Sequence, residues 1–245
     1  MRVVISQPMY FPWPGHMEQI ASADVYVFYD DVQFTPRNFF HRVQIKSSDT
    51  TEYLTVALQH RSQRAIINEL LLDSLEQTTK IHTRTFWQHY SKAPFGRDAL
   101  TLMEQVFAFE SVTLDDLCKH STRALCAYLD LSKPQFTASS LLGIPGAATD
   151  RLLAICRHFN ATEYVTGHGA LNYLDHSAFD AAGIQVLYAD YSLAEYPQLG
   201  EGFTPYVSTL DLIAMEGPDA RAYIRPTLVP WRDFLARRMK EHADR

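Results

Sequence analysis

The chain opens with an apolar run, Val3, Val4 and Ile5, too apolar for a sheet edge, and helical periodicity follows over residues 15–23. A second apolar run at 25–29 ends in Asp30 and Asp31. The amino-terminal pattern is therefore β-α-β. Alternation at 42–46 and 52–58, separated by Ser47, Ser48, Asp49 and Thr50, predicts a β-hairpin, and 66–72 reads as a further strand. Three helical stretches follow at 77–90, 96–109 and 114–129, the last opened by Thr113 with Asp115 and Asp116 in its first turn. From Pro134 the β-α alternation resumes, with strands at 135–138, 163–166 and 184–188 and helices at 150–159, capped by Thr149, and at 177–182. Right-handed crossovers between such strands give a mostly parallel sheet. A last internal helix starts near Ser208 and stops at Gly217-Pro218, and the tail from Trp231 is amphipathic and charged. The expected fold is a single α/β domain over 1–245 with a mostly parallel, Rossmann-like sheet. A small antiparallel hairpin extension at about 41–72 and a helical insertion at about 76–130 are added to it.

Composition narrows the class. A chain of 245 residues, 47% hydrophobic and 20% charged, can build a substantial core and is neither disordered nor fibrous. Its net charge of −6 argues against general nucleic-acid binding. Cys118, Cys126 and Cys156 form no C-x-x-C pair and read as buried reduced thiols. With no leader-like amino terminus and no apolar run of bilayer length, the expectation is a soluble, unprocessed cytoplasmic protein.

The loop after the first strand is the densest in chemistry. Residues 6–16 carry three prolines, three aromatics, Gln7 and His16. Preset backbone and rigid rings after the first strand of an α/β unit suit a pocket at the carboxyl ends of the strands, with Tyr10 and Trp13 as its aromatic wall. If the first strand lies beside the strand at 163–166, the loop Gly167-His168-Gly169 borders the same crevice. There the two glycines admit close approach and His168 serves as a general base or a donor to an anion. Asn172 lies one turn further on. After the second strand, Asp30, Asp31, Gln33, Arg37, Asn38 and Arg42 form a polar run. Its carboxylates suit either a ligand or ion pairing, and its arginines match a phosphate or carboxylate. No histidine pair has metal-ligand spacing, and neither a G-x-G-x-x-G fingerprint, a Walker loop nor a G-x-S-x-G elbow is present, so the sequence names no cofactor. Trp13-Pro14-Gly15-His16 departs from the H-x-G-H signature of nucleotidyl-transferring enzymes at its first histidine.

The string Gln7-Pro-x-Tyr-Phe-Pro-Trp-x-Gly15, with Tyr29 to Phe34, Pro36 to Asn38 and Arg42 to Lys46, resembles the WbqC-like family. Lys92 to Phe95, Thr149 to Leu153, Ala161 to Gly167 and Ser208 to Leu212 follow in the same order. The family is named from bacterial polysaccharide clusters. The resemblance implies weight for Gln7, Tyr10, Trp13, Gly15, Asp30, Asp31, Arg37, Arg42, Gly167, Ser208 and Asp211, whereas His16 stands where many members carry tyrosine. It also implies a candidate activity: acylation or aminoacylation, glycylation included, of the amine of a nucleotide-linked amino sugar. Asp30, Asp31 or His168 would then be the base, and Arg37 or the Gly167-His168-Gly169 backbone the oxyanion donor. The acyl donor is not indicated. The rival expectations are a nucleotide-sugar binding module without chemistry and an ATP-dependent adenylate-forming ligase.

Overall fold

In the computed structural model, which describes residues 1–35, 39–48, 50–59, 65–191 and 194–243, the first strand lies in the middle of the sheet. Strand β1 (Arg2–Ser6) leads through helix α1 (Pro14–Ser22) to β2 (Val25–Phe28). A proline at the first helical position starts α1, where a missing N–H costs nothing. The hairpin β3 (Arg42–Ser47) and β4 (Thr50–Thr55) forms a separate two-stranded antiparallel sheet. Three helices follow: α2 (Leu75–Tyr90), α3 (Gly96–Phe107) and α4 (Leu114–Tyr128), the last fixed by a reciprocal capping box between Thr113 and Asp116. The main sheet resumes with β5 (Gln135–Ala138), the short helix α5 (Ser139–Leu142), α6 (Ala148–His158) and β6 (Glu163–Thr166). Then come α7 (His176–Ala181), β7 (Gln185–Ala189), α8 (Thr209–Glu216), β8 (Leu228–Pro230) and α9 (Trp231–Ala243).

The six-stranded order is β5-β2-β1-β6-β7-β8, parallel throughout except for β8. Val4 pairs with Tyr26 on one side and Val165 on the other, so β1 and β6 are neighbours and the strand order reverses between them. Because side chains alternate, Val4, Tyr26 and Phe28 enter the core shared with the hairpin, α2–α4 and α8. Val3, Ile5, Val25 and Val27 face the opposite core under α6 and α7. Both faces are covered, as an all-parallel run of strands requires. Each such buried Val or Ile contributes about 1.5–3 kcal/mol.

Three local expectations change. Residues 66–72 form no strand: a 3-10 turn at Ile67–Glu69 interrupts them, and isolated bridges tie Ile66 to Gln33, Leu72 to Leu58 and Leu71 to Thr113. Helix α6 begins ahead of Thr149, with Ala148 at φ +47°, and the Thr149 hydroxyl instead accepts the Asp175 N–H at 2.9 Å. The edge strand β8 is too short to leave a periodic signature. The three cysteines are free and buried, and no described helix is long and apolar enough to cross a membrane.

Candidate functional site

A cavity of about 930 Å³ opens at the carboxyl ends of β1, β2 and β6, where the strand order reverses. Its floor is Ile5, Ser6 and Gln7 after β1 together with Thr166 to Ala170 after β6. One wall is aromatic. Trp13 lies 4.7 Å from Tyr191 and 5.7 Å from Tyr206 between ring centroids, and its indole folds back over Gly15, where an added Cβ would meet the ring at 2.2 Å. Gly15 is thus required by the placement of Trp13. The opposite wall carries Tyr29, Asp31 and the first turn of α6, with Arg151 projecting from it.

The loop from Gln7 to Trp13 is held from behind by distant parts of the chain. Phe11 is at φ +39°, a strained value for a residue with a Cβ. Its N–H donates to the Ser121 hydroxyl at 3.0 Å, and its carbonyl accepts from the Ser208 hydroxyl at 2.9 Å. The Pro12 carbonyl accepts from the Thr209 hydroxyl at 2.6 Å. Tyr10 is fully buried and donates to His82 Nδ1 at 2.8 Å, since Nε2 of that imidazole donates to the Thr55 carbonyl at 3.2 Å. Asp211 accepts from the Tyr90 and Tyr196 hydroxyls at 2.6 and 2.7 Å, and burial raises its pKa.

Of the residues singled out in the sequence, Gln7, Trp13, His16, Asp31, Gln33, Gly167, His168 and Gly169 line the cavity. Tyr10, Ser208 and Asp211 belong to the support just described, and Asn172 lies in the 3-10 turn after β6 without lining the cavity. Arg42 stacks on Tyr53 of the hairpin, 4.4 Å from the ring centroid, and is likewise outside the lining. Arg37 and Asn38 lie outside the described residues.

The adjacent carboxylates separate. Asp30 is 1% exposed and turned into the protein, where it accepts from Lys119 Nζ at 2.7 Å, the Ser140 N–H at 3.0 Å and the Ser140 hydroxyl at 2.8 Å. Burial pushes its carboxyl up, but Lys119 and Ser140 outweigh burial and hold it below the usual value. Lys119 also meets Asp115 at 2.5 Å. Asp31 faces the cavity, accepting from the Ser139 hydroxyl and from Arg151 Nη2, both at 2.5 Å. Arg151 donates its Nε to the Ile144 carbonyl at 3.0 Å and lies 5.1 Å from the Tyr29 ring centroid. Burial raises the Tyr29 pKa despite that guanidinium.

The two cavity histidines differ. His16 is 2% exposed, shares a 2.7 Å hydrogen bond between Nε2 and the Tyr26 hydroxyl, and is pushed down to about 4 by burial, so it is neutral near pH 7. His168 donates Nε2–H to the Ala189 carbonyl at 2.9 Å and packs against Tyr191 and Phe234. In the neutral ring this fixes the basic lone pair on Nδ1. Among the described residues, no group of three His, Cys, Asp or Glu side chains is arranged to hold a metal ion.

Arg151, Tyr191 and Gln19 line the cavity but were not marked as site residues by sequence motifs. Arg151 does fall in the Thr149 to Leu153 string, and Tyr191 closely follows a parallel strand, the same positional signal that marks Asp31 and His168.

The arrangement is that of a Rossmann-like α/β protein with a cavity at its topological switch point. Residues 7–223 match the WbqC-like protein family, and the chain belongs to that family. It is 34% identical over 227 residues to the uncharacterized protein Rv1507c of Mycobacterium tuberculosis, which covers 91% of this chain and 97% of that protein. No solved structure matches the chain.

Proposed function

We propose that this protein is a transferase that acylates or aminoacylates the amine of a nucleotide-linked amino sugar in surface-polysaccharide assembly. The observation that supports the reading is the convergence, in one cavity, of an aromatic wall, an Asp31–Arg151 pair and an imidazole of fixed tautomer. Planar rings such as Trp13 and Tyr206 suit the apolar face of a sugar or a base. Arg151, in the first turn of α6, suits an anionic oxygen. His168 Nδ1 takes the proton from the attacking nitrogen as the C–N bond forms. The same proton then passes to the sulfur of a thioester donor as the C–S bond breaks.

Asp30 is not assigned the base, because its oxygens are committed to Lys119 and Ser140 away from the cavity. Asp31 is assigned the positioning of Arg151.

The test is thermal unfolding of the wild type against nucleotides, nucleotide-linked amino sugars, free glycine and ATP. A ligand at about 100 times its Kd stabilises the folded state by about 2.7 kcal/mol. A rise in midpoint with an amino-sugar nucleotide, and its absence with the matching nucleotide alone, is the expected result. A rise with ATP alone moves the protein to the ligase class. No rise with any member of the panel removes the small-molecule reading. Given a ligand, His168→Ala is expected to lower turnover by about 10²–10⁴-fold with binding retained, and unchanged turnover would take His168 out of the mechanism.

A further inference from the structure

Three elements meet over the cavity floor. Gln19 comes from α1, Tyr191 follows β7, and Gly167 immediately follows β6. The Gln19 side chain is 5% exposed, and its amide nitrogen donates to the Tyr191 hydroxyl. The pair lies directly over Gly167: a Cβ there would come within 2.8 Å of the Tyr191 oxygen and 3.1 Å of the Gln19 amide nitrogen. Glycine at 167 is what lets the two side chains close over the loop.

The ring of Tyr191 is held independently of its hydroxyl. Its centroid is 4.7 Å from that of Trp13 and 5.0 Å from that of His168. A phenol oxygen can accept and donate at once. Gln19 uses its accepting capacity, and among the described residues the phenol proton has no acceptor. Burial raises the Tyr191 pKa, so the proton stays on the oxygen near neutral pH. A phenol beside the base, already hydrogen-bonded on its acceptor side, is a donor fixed in advance.

We infer that the Tyr191 hydroxyl donates a hydrogen bond to the acyl carbonyl oxygen of the bound substrate, with Gln19 as the positioning residue that holds the phenol. This rests on the transferase reading of the same cavity. As the nitrogen attacks, the carbonyl π pair moves onto that oxygen. Tyr191 stabilises it there until the pair returns and the bond to the thioester sulfur breaks, with the proton delivered from His168.

The acylated product carries the same carbonyl, which allows a test without identifying the particular thioester. Binding of UDP-N-acetylglucosamine, which has an amide carbonyl, is compared with binding of UDP-glucosamine, which has only the amine, by calorimetry. Tyr191→Phe keeps the ring and removes the hydroxyl. The expected result is an affinity loss of about tenfold for the acetylated ligand, within the range of one hydrogen bond, with affinity for the amine unchanged. Gln19→Glu turns the amide donor into an acceptor that captures the phenol proton and should give the same selective loss; it also serves if Tyr191→Phe fails to fold. The Gln19→Glu/Tyr191→Phe double variant should lose no more than either single one, as expected for residues acting as a unit.

If the wild type binds both ligands and the variants weaken both equally or neither, the Tyr191 assignment is overturned while the transferase reading stands. Binding of the amine alone by the wild type also overturns it. Should the wild type bind neither ligand, both the reading and the donor assignment fail.

Discussion

Asp30 and Asp31 leave the same strand end one residue apart and enter opposite regions of the molecule. Asp30 turns into the interior between β2 and α4, where Lys119, Ser139 and Ser140 surround it and almost no surface remains. Asp31 turns to the cavity and is tied to Arg151, leaving its side chain 26% exposed. Both carboxylates lie beyond the end of β2, and the path the chain takes there turns one inward and the other to the cavity. A pair of acids that reads in the sequence as one unit is, in the fold, one structural group and one site group.

That division is open to direct attack. Asp30→Ala is expected to cost about 3 kcal/mol of stability, the low end for breaking a buried ion pair because Lys119 keeps Asp115. Urea unfolding measures it, and a loss under 1 kcal/mol would mean that Asp30 is not a structural anchor. Asp31→Asn should lower the urea midpoint clearly less than Asp30→Ala, because the amide oxygen still accepts from the buried Arg151, and lower turnover by about 10²-fold, the cost of a misplaced binding group, here Arg151. Equal effects of the two substitutions on stability would erase the distinction.

Ser139 touches both acids, at 3.1 Å from Asp30 and 2.5 Å from Asp31. Ser139→Ala should cost about 1 kcal/mol, measured by the same unfolding curves, and affect turnover less than Asp31→Asn. The smallest expected signal is in acid. His16 and His82 are pushed from 6.5 down to about 4 by burial, so between those values the unfolded chain binds more protons than the folded one. Their contribution is present above about pH 6.5 and is lost as pH falls toward 4. His16→Gln should flatten the stability slope in that window, and an unchanged slope would show that His16 is not buried as a neutral ring.

The sequence made the sheet legible because its strands are continuous apolar runs, and the neighbouring placement of β1 and β6 put Gln7, Trp13 and His168 around one crevice. The separation of Asp30 from Asp31 was not legible, because it depends on which way the chain leaves β2. Tyr10, Ser208 and Asp211 carry polar groups that resemble ligand contacts, yet their partners are backbone and side chains far away in sequence. Arg151 was hidden inside an amphipathic helical pattern. Tyr191 was hidden because a single loop aromatic has no period, although its position after β7 carried the signal.

The strained turn at Phe11 has a consequence for how the protein is made. Its two clamps come from Ser121 and Ser208, 110 and 197 residues further along the chain. During synthesis the loop leaves the ribosome well before the two serines that complete its shape. A nascent chain halted before Ser208 therefore carries the cavity's residues without the means to hold this loop in place.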